Sequence, residues 1–112
     1  MKGPLPLDLE GPYPLDWVDY FVADKEKPGT FILSQDGKIH HYIGRADSGL
    51  GDAIKEAARR GDYSFFWFKF AESPEEAFHT HCHLWHLFNP PHSPNHPTPP
   101  PGQDWKCREC EA

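Results

Sequence analysis

The sequence predicts an α+β fold: a small central antiparallel or mixed sheet of three strands, flanked by helices, in the order β-β-α-β-α. Three observations carry that expectation. Asp36-Gly37 lies between two β-branched and aromatic runs, a strong short-range hairpin signal. Leu50, Ile54 and Ala57/Ala58 recur at helical spacing and stop at Gly61. Ser73-Pro74-Glu75-Glu76 is a capping box with proline at the first helical position.

In chain order, residues 1–19 read as an irregular proline-rich lead. Pro4, Pro6, Pro12 and Pro14 block helix and central strand alike, while Leu5, Leu7, Tyr13, Leu15 and Trp17 can lie across a core as an extended strap. Phe21-Val22 reads as a short extended piece and Glu26-Lys27-Pro28-Gly29 as a turn. Thr30–Ser34 is the first strand and Lys38–Ile43 its return, stopped by Gly44. Ser48-Gly49-Leu50 opens a helix that runs to about Arg60. Ser64–Phe70 is apolar on both faces, as a central strand is. The capped helix runs to about Phe88, where Asn89-Pro90-Pro91 ends it. Seven of the twelve residues from Pro90 to Pro101 are proline, a stiff strap with little conformational freedom to lose. It delivers Trp105-Lys106-Cys107-Arg108-Glu109-Cys110. The expected organisation is a lead over 1–19, a folded domain over 20–90, and a strap and metal-binding tail over 91–112 packed on that domain.

A length of 112 residues sets one domain as the expectation. No run approaches the ~18 apolar residues of a spanning helix, and the opening residues lack the apolar core of a signal peptide. Both point away from the membrane and towards the cytoplasm. The net charge of −6 is unevenly spread: −4 over residues 1–36, +2 over 37–70 and −4 over 71–112. An acidic total repels polyphosphate at long range, so DNA or RNA would have to be met through a local basic patch. Lys55, Arg59 and Arg60, at the C-terminal half of the first helix, are the candidates. The helix dipole accounts for the same residues without any ligand.

Gly29-Thr30-Phe31, followed by Tyr42-Ile43-Gly44 eleven residues after Phe31, resembles the GIY-YIG endonuclease signature. The resemblance spans about Pro28 to Pro91 and includes Arg45-Ala46-Asp47, Leu50 and the Glu76-Ala77-Phe78 step. It implies a GIY-YIG-like β-β-α-β-α domain and phosphodiester chemistry. Such chemistry uses a tyrosine near the nucleophilic water, a helix arginine at the phosphate, and a glutamate holding one divalent metal. The first tyrosine is Phe31 here. The second is Tyr42, with His40 and His41 before it and Arg45 after it. The helix arginine falls on Ala53, and the metal glutamate falls on His81. Tyr42, His41, Arg45 and His81 are therefore the candidate catalytic set, with Mg²⁺ or Mn²⁺ only if the chain is active. The resemblance implies a catalytically degenerate or altered member. The bland readings are a packing tyrosine at Tyr42 and a solvated charge at Arg45.

Three cysteines and eight histidines complete the chemistry. An odd cysteine count without a secretory signal argues against a disulfide framework. Cys82 and His86 are four apart on the last helix, and Cys107 and Cys110 form a C-x-x-C, together a tetrahedral soft-ligand set suited to structural Zn²⁺. His96, in the strap, is an alternative to His86, and His79/His83 is another four-residue pair. The competing readings are a buried apolar role for Cys82 and a redox role for the C-x-x-C, which lacks a β-α-β context. Three functions follow as expectations: a nucleic-acid-binding or DNA-processing accessory domain with structural zinc, an active endonuclease with a rebuilt Tyr/His site, or a zinc-stabilised protein-interaction module.

Overall fold

Four strands form the sheet, one more than the local signals predict. The computed structural model describes residues 9–23 and 26–110. The elements are β1 (Glu10–Pro14), a 3-10 turn (Leu15–Trp17), α1 (Val18–Phe21), β2 (Gly29–Ser34), β3 (Tyr42–Ala46), α2 (Leu50–Ala58), β4 (Phe65–Phe70) and α3 (Pro74–Phe88). The sheet order is β1-β4-β2-β3, with every neighbour antiparallel.

The additional strand lies in the proline-rich lead. β1 pairs only with β4, so Pro12 and Pro14 sit where an edge strand tolerates a missing N–H. Its register shifts between Glu10 and Tyr13. Gly11, at φ +132°, makes this possible, because a Cβ there would lie 2.6 Å from the Phe66 carbonyl oxygen. Val18–Phe21 is helical rather than extended, and sends Val18 and Val22 into the core. The expected strap contacts of Leu5 and Leu7 lie outside the described residues.

The hairpin differs too. A two-residue Asp36-Gly37 loop would pair Gln35 with Lys38, but Leu33 pairs with Tyr42 instead. Side-chain acceptors compete for the backbone here. The Asp36 carboxylate accepts from Lys38 N–H at 2.8 Å and Ile39 N–H at 3.0 Å, and the Ser34 hydroxyl accepts from Gly37 N–H at 2.9 Å. The Ile39 and Lys38 N–H groups, with the Ser34 hydroxyl, hold the Asp36 carboxyl down to a pKa of about 2. The return strand therefore begins at Tyr42.

β4 is central, and it carries the core on both faces. Phe66 and Phe68 join Phe31, Leu33, Leu50, Ile54 and Val18 beneath α1 and α2. Trp67 joins Ile32, Ile43 and Leu84 beneath α3. The period-2 pleat assigns alternate residues to opposite layers, so α2 and α3 cover opposite faces. The α3 cap forms as predicted: Ser73 Oγ accepts from Glu76 N–H at 3.1 Å, while the Glu76 carboxylate takes the Glu72 N–H.

The two triplets behind the family resemblance face one another across this ladder. Phe31 is opposite Gly44, and a Cβ on Gly44 would stand 2.5 Å from the Phe31 ring. Gly44→Ala is therefore expected to destabilise by about 2 kcal/mol, read as a shift in the urea midpoint. An unchanged midpoint would show that the ring is free to move.

Candidate metal centre

α3 presents two columns that the sequence alone does not distinguish. One is buried: Phe78 and Cys82, four residues apart, form a small apolar cluster with Cys107, against which Trp105 packs. The other reaches solvent at the helix end, where His86 stands in the last turn before Asn89 terminates the helix in a left-handed conformation.

The strap folds back to meet this end. The Ser93 hydroxyl accepts from Ile43 N–H at 3.1 Å and donates to Ile43 C=O at 3.3 Å, so one side chain satisfies both backbone groups of Ile43 on edge strand β3. His92 N–H donates to His41 C=O at 2.8 Å. Trp85 Nε1–H reaches the Ser93 carbonyl at 2.7 Å, and its ring lies edge-on to His96 with centroids 5.0 Å apart. His96 is thereby swung onto the end of α3.

His86, His96, Cys107 and Cys110 converge there, each with one donor atom and all donors within 4.8 Å of one another. Cys110 Sγ is 3.4 Å from His86 Nε2 and 3.2 Å from His96 Nε2, and the two imidazole nitrogens are 3.3 Å apart. A tetrahedral ion with Zn–N near 2.05 Å and Zn–S near 2.3 Å requires edges of about 3.3 Å for N–N and about 3.6 Å for N–S. His86, His96 and Cys110 stand close to those separations, and the Cys107 thiol lies within 4.8 Å of each. This group could hold a metal ion such as zinc.

The surrounding groups prepare the donors. His96 Nδ1–H donates to the Pro97 carbonyl at 2.7 Å, leaving the Nε2 lone pair to face the cluster. Burial pushes the Cys107 thiol up, but the Cys110 N–H, the Cys82 and His96 side chains and the Glu109 N–H outweigh it, and the thiol falls to about 6. The turn at 108–110 thus points its amides at sulfur.

The expected ligand set needs one correction. Cys82 lies outside the group, and His96 joins His86 rather than replacing it. Cys82 sits instead in the buried cluster with Phe78 and Cys107, where burial and then its contact with Cys107 push its thiol up to about 12. The signal for this was its place in the apolar column with Phe78. His79 and His83 pair instead with Glu75 (3.6 Å) and Glu109 (3.4 Å).

Tyr42, Arg45 and His81 line one open cleft at the β3 edge together with strap residues His92–Thr98, and His41 does not line it. Tyr42 packs on the α2 side, its ring 6.0 Å from Phe31 and 6.2 Å from Tyr63. Arg45 and His81 lie on the α3 side, with Arg45 Nη1 3.5 Å from His81 Nδ1. Arg45 is otherwise engaged by Asp47 at 3.1 Å, the Thr98 carbonyl at 2.8 Å and the Phe78 ring at 5.4 Å. His81 is driven down to about 3 by burial and by the Arg45 cation, against the opposing pull of a hydrogen bond to Ile43 C=O. It is a neutral imidazole at pH 7. His41 accepts from Gln35 N–H at 3.2 Å, and His40 packs between Trp67 and Phe88.

The candidate nucleic-acid residues are paired within the chain. Lys55 meets Asp19 at 2.7 Å, while Arg59 and Arg60 share Glu56, Arg60 at 3.3 Å. Among the described residues, no helix is long and apolar enough to cross a membrane. Comparison of the chain with protein-family models, curated proteins and solved structures gives no match.

Proposed function

We propose that this chain is a non-hydrolytic binding domain on a GIY-YIG-like scaffold, stapled by zinc through His86, His96, Cys107 and Cys110, and that its partner is a protein. One observation carries the reading: the strap occupies the flank of β3 where phosphate would have to approach Arg45, and Thr98 already takes a guanidinium N–H. The order β2-β3-α2-β4-α3 supports the scaffold. Zinc is favoured over Mg²⁺ because two thiolates and two imidazoles are soft, borderline donors. Bound there, the ion supplies structural cross-linking, since four protein ligands leave no open position.

The chain's own residues argue against hydrolysis. Tyr42 and His81 line one cleft, but the positions of the helix arginine and the metal glutamate hold Ala53 and His81, and Arg45 is engaged by Asp47 and the Thr98 carbonyl. Supercoiled plasmid incubated with Mg²⁺, Mn²⁺ or Zn²⁺ is expected to remain intact, with wild type and Tyr42→Phe indistinguishable. Metal-dependent nicking lost in Tyr42→Phe would overturn the proposal in favour of a rebuilt nuclease. An accessory role on DNA or RNA would instead appear as oligonucleotide binding that weakens steeply with salt and depends on Lys55, Arg59 and Arg60. Their pairing with Asp19 and Glu56 predicts no such binding at physiological ionic strength.

A further inference from the structure

Residues 9–23 contain three acids, Glu10, Asp16 and Asp19, and no lysine or arginine. The same stretch carries four joined aromatic side chains, of which Tyr13 and Phe21 pack half-buried against the core and Trp17 and Tyr20 stand exposed. Tyr13 and Phe21 stack in parallel with centroids 3.7 Å apart. Tyr20 meets Phe21 edge-on at 5.0 Å, and Trp17 meets Tyr20 edge-on at 5.7 Å. Trp17 is 51% exposed and Tyr20 71%. Val18 and Val22, both buried, fasten the segment to the sheet from beneath. The rings therefore form a supported platform.

Two tests separate a docking surface from ordinary exposure. The first is contiguity: single exposed apolar side chains are commonplace, whereas joined large rings mark interaction sites. Tyrosine and tryptophan also dominate binding hot spots, because they bring large area at low entropic cost. The second is charge. Ring faces carry negative quadrupoles, and carboxylates beside them add to the same field, so the surface selects cations. Asp19 of this segment already pairs with Lys55 from α2 at 2.7 Å, and Glu10 and Asp16 are its other acids. The acids also disfavour phosphate, which argues against nucleic acid at this location.

We infer that the platform of Trp17, Tyr20, Phe21 and Tyr13, edged by Asp16 and Glu10, docks an arginine- or lysine-bearing segment of a partner protein. This rests on the protein-binding reading above and specifies its surface. A guanidinium or ammonium lies over the Trp17 and Tyr20 rings while the acids draw in neighbouring cations. The interface is accordingly salt-sensitive in its on-rate and ring-dependent in its lifetime.

The test uses the full zinc-loaded chain, isotopically labelled, titrated with an oligo-arginine peptide and with its glutamate counterpart. Chemical shifts are expected to move at residues 13–21, including the Trp17 indole N–H, with the arginine peptide only. Trp17→Ala combined with Tyr20→Ala is expected to weaken binding at least tenfold without shifting the melting temperature, and Asp16→Asn to weaken it severalfold. Affinity unchanged in the double variant, or shifts confined to another face, would overturn the surface while leaving protein binding intact. Absence of peptide binding together with salt-dependent oligonucleotide binding would overturn both. Concentration-dependent dimerisation abolished by Trp17→Ala, without peptide binding, would assign the platform to a second copy and refute the cationic partner.

Discussion

With the proposed zinc site filled, stripping the metal with a chelator, or replacing Cys107 by serine, is expected to lower the melting temperature by about 10–15 °C. At roughly 4 °C per kcal/mol for a chain of this size, that is a loss of about 3 kcal/mol. The mechanism is local. Without the ion, two thiolates and two imidazoles no longer hold the strap and the tail to the end of α3. The Cys107–Phe78–Cys82 cluster opens, and the bonds of Ser93 to Ile43 and of Thr98 to Arg45 lose their tether. The two larger clusters, on either side of β4, contain none of the four ligands. Sheet and helices should therefore persist. Hydrogen exchange is expected to show lost protection at the Ile43 and His92 amides with little change at Ile32 and Phe68, reversed by Zn²⁺ and not by Mg²⁺. His92→Ala, which removes only an exposed ring bonded to Tyr63 at 2.8 Å, should cost under about 1 kcal/mol. Purified protein containing less than about half an equivalent of zinc would end the stapling argument.

The second large effect is acid sensitivity centred on His81. Its folded pKa, about 3, is far below the ordinary imidazole value of 6.5. Above pH 6.5 the ring is neutral in both states and stability is unaffected. As pH falls below 6.5 the unfolded chain takes up a proton that the folded one refuses. Stability then declines by up to about 1.4 kcal/mol per pH unit until roughly pH 3. The total is of the order of 3–5 kcal/mol, a large share of the stability of a small domain. His81→Gln retains a donor for the Ile43 carbonyl but cannot be protonated. Its stability at pH 7 is expected to lie within about 1 kcal/mol of wild type, with a flatter decline between pH 6 and pH 4. Parallel urea-stability curves for the two proteins over that range would refute the role of His81.

These expectations divide according to how far apart in the chain the determining contacts lie. β2, β4, α2 and α3 are legible in the sequence because each is specified within a few residues: a β-branched run, a strand apolar on both faces, the Leu50/Ile54/Ala57 period, and the Ser73 cap. A candidate soft-metal group is legible in the same way, since C-x-x-C and a histidine on a neighbouring helix point to such ligands by residue type. What needed the tertiary structure is everything settled by non-local approach. β1 exists because β4 offers an edge, even to a proline-bearing segment. The hairpin register follows from Asp36 and Ser34 capturing backbone amides, against the usual Asp-Gly turn. His96 enters the metal group because Trp85 and Ser93 steer the strap, while Cys82 leaves it by turning into the core beside Phe78. The pleat parts the side chains of Tyr42 and Arg45, and the strap folds back over the cleft that Tyr42, Arg45 and His81 line. Local propensity determines which elements form; only packing decides which side chains meet, because a shift of one residue along a strand changes the partner and leaves the pattern of residue types untouched.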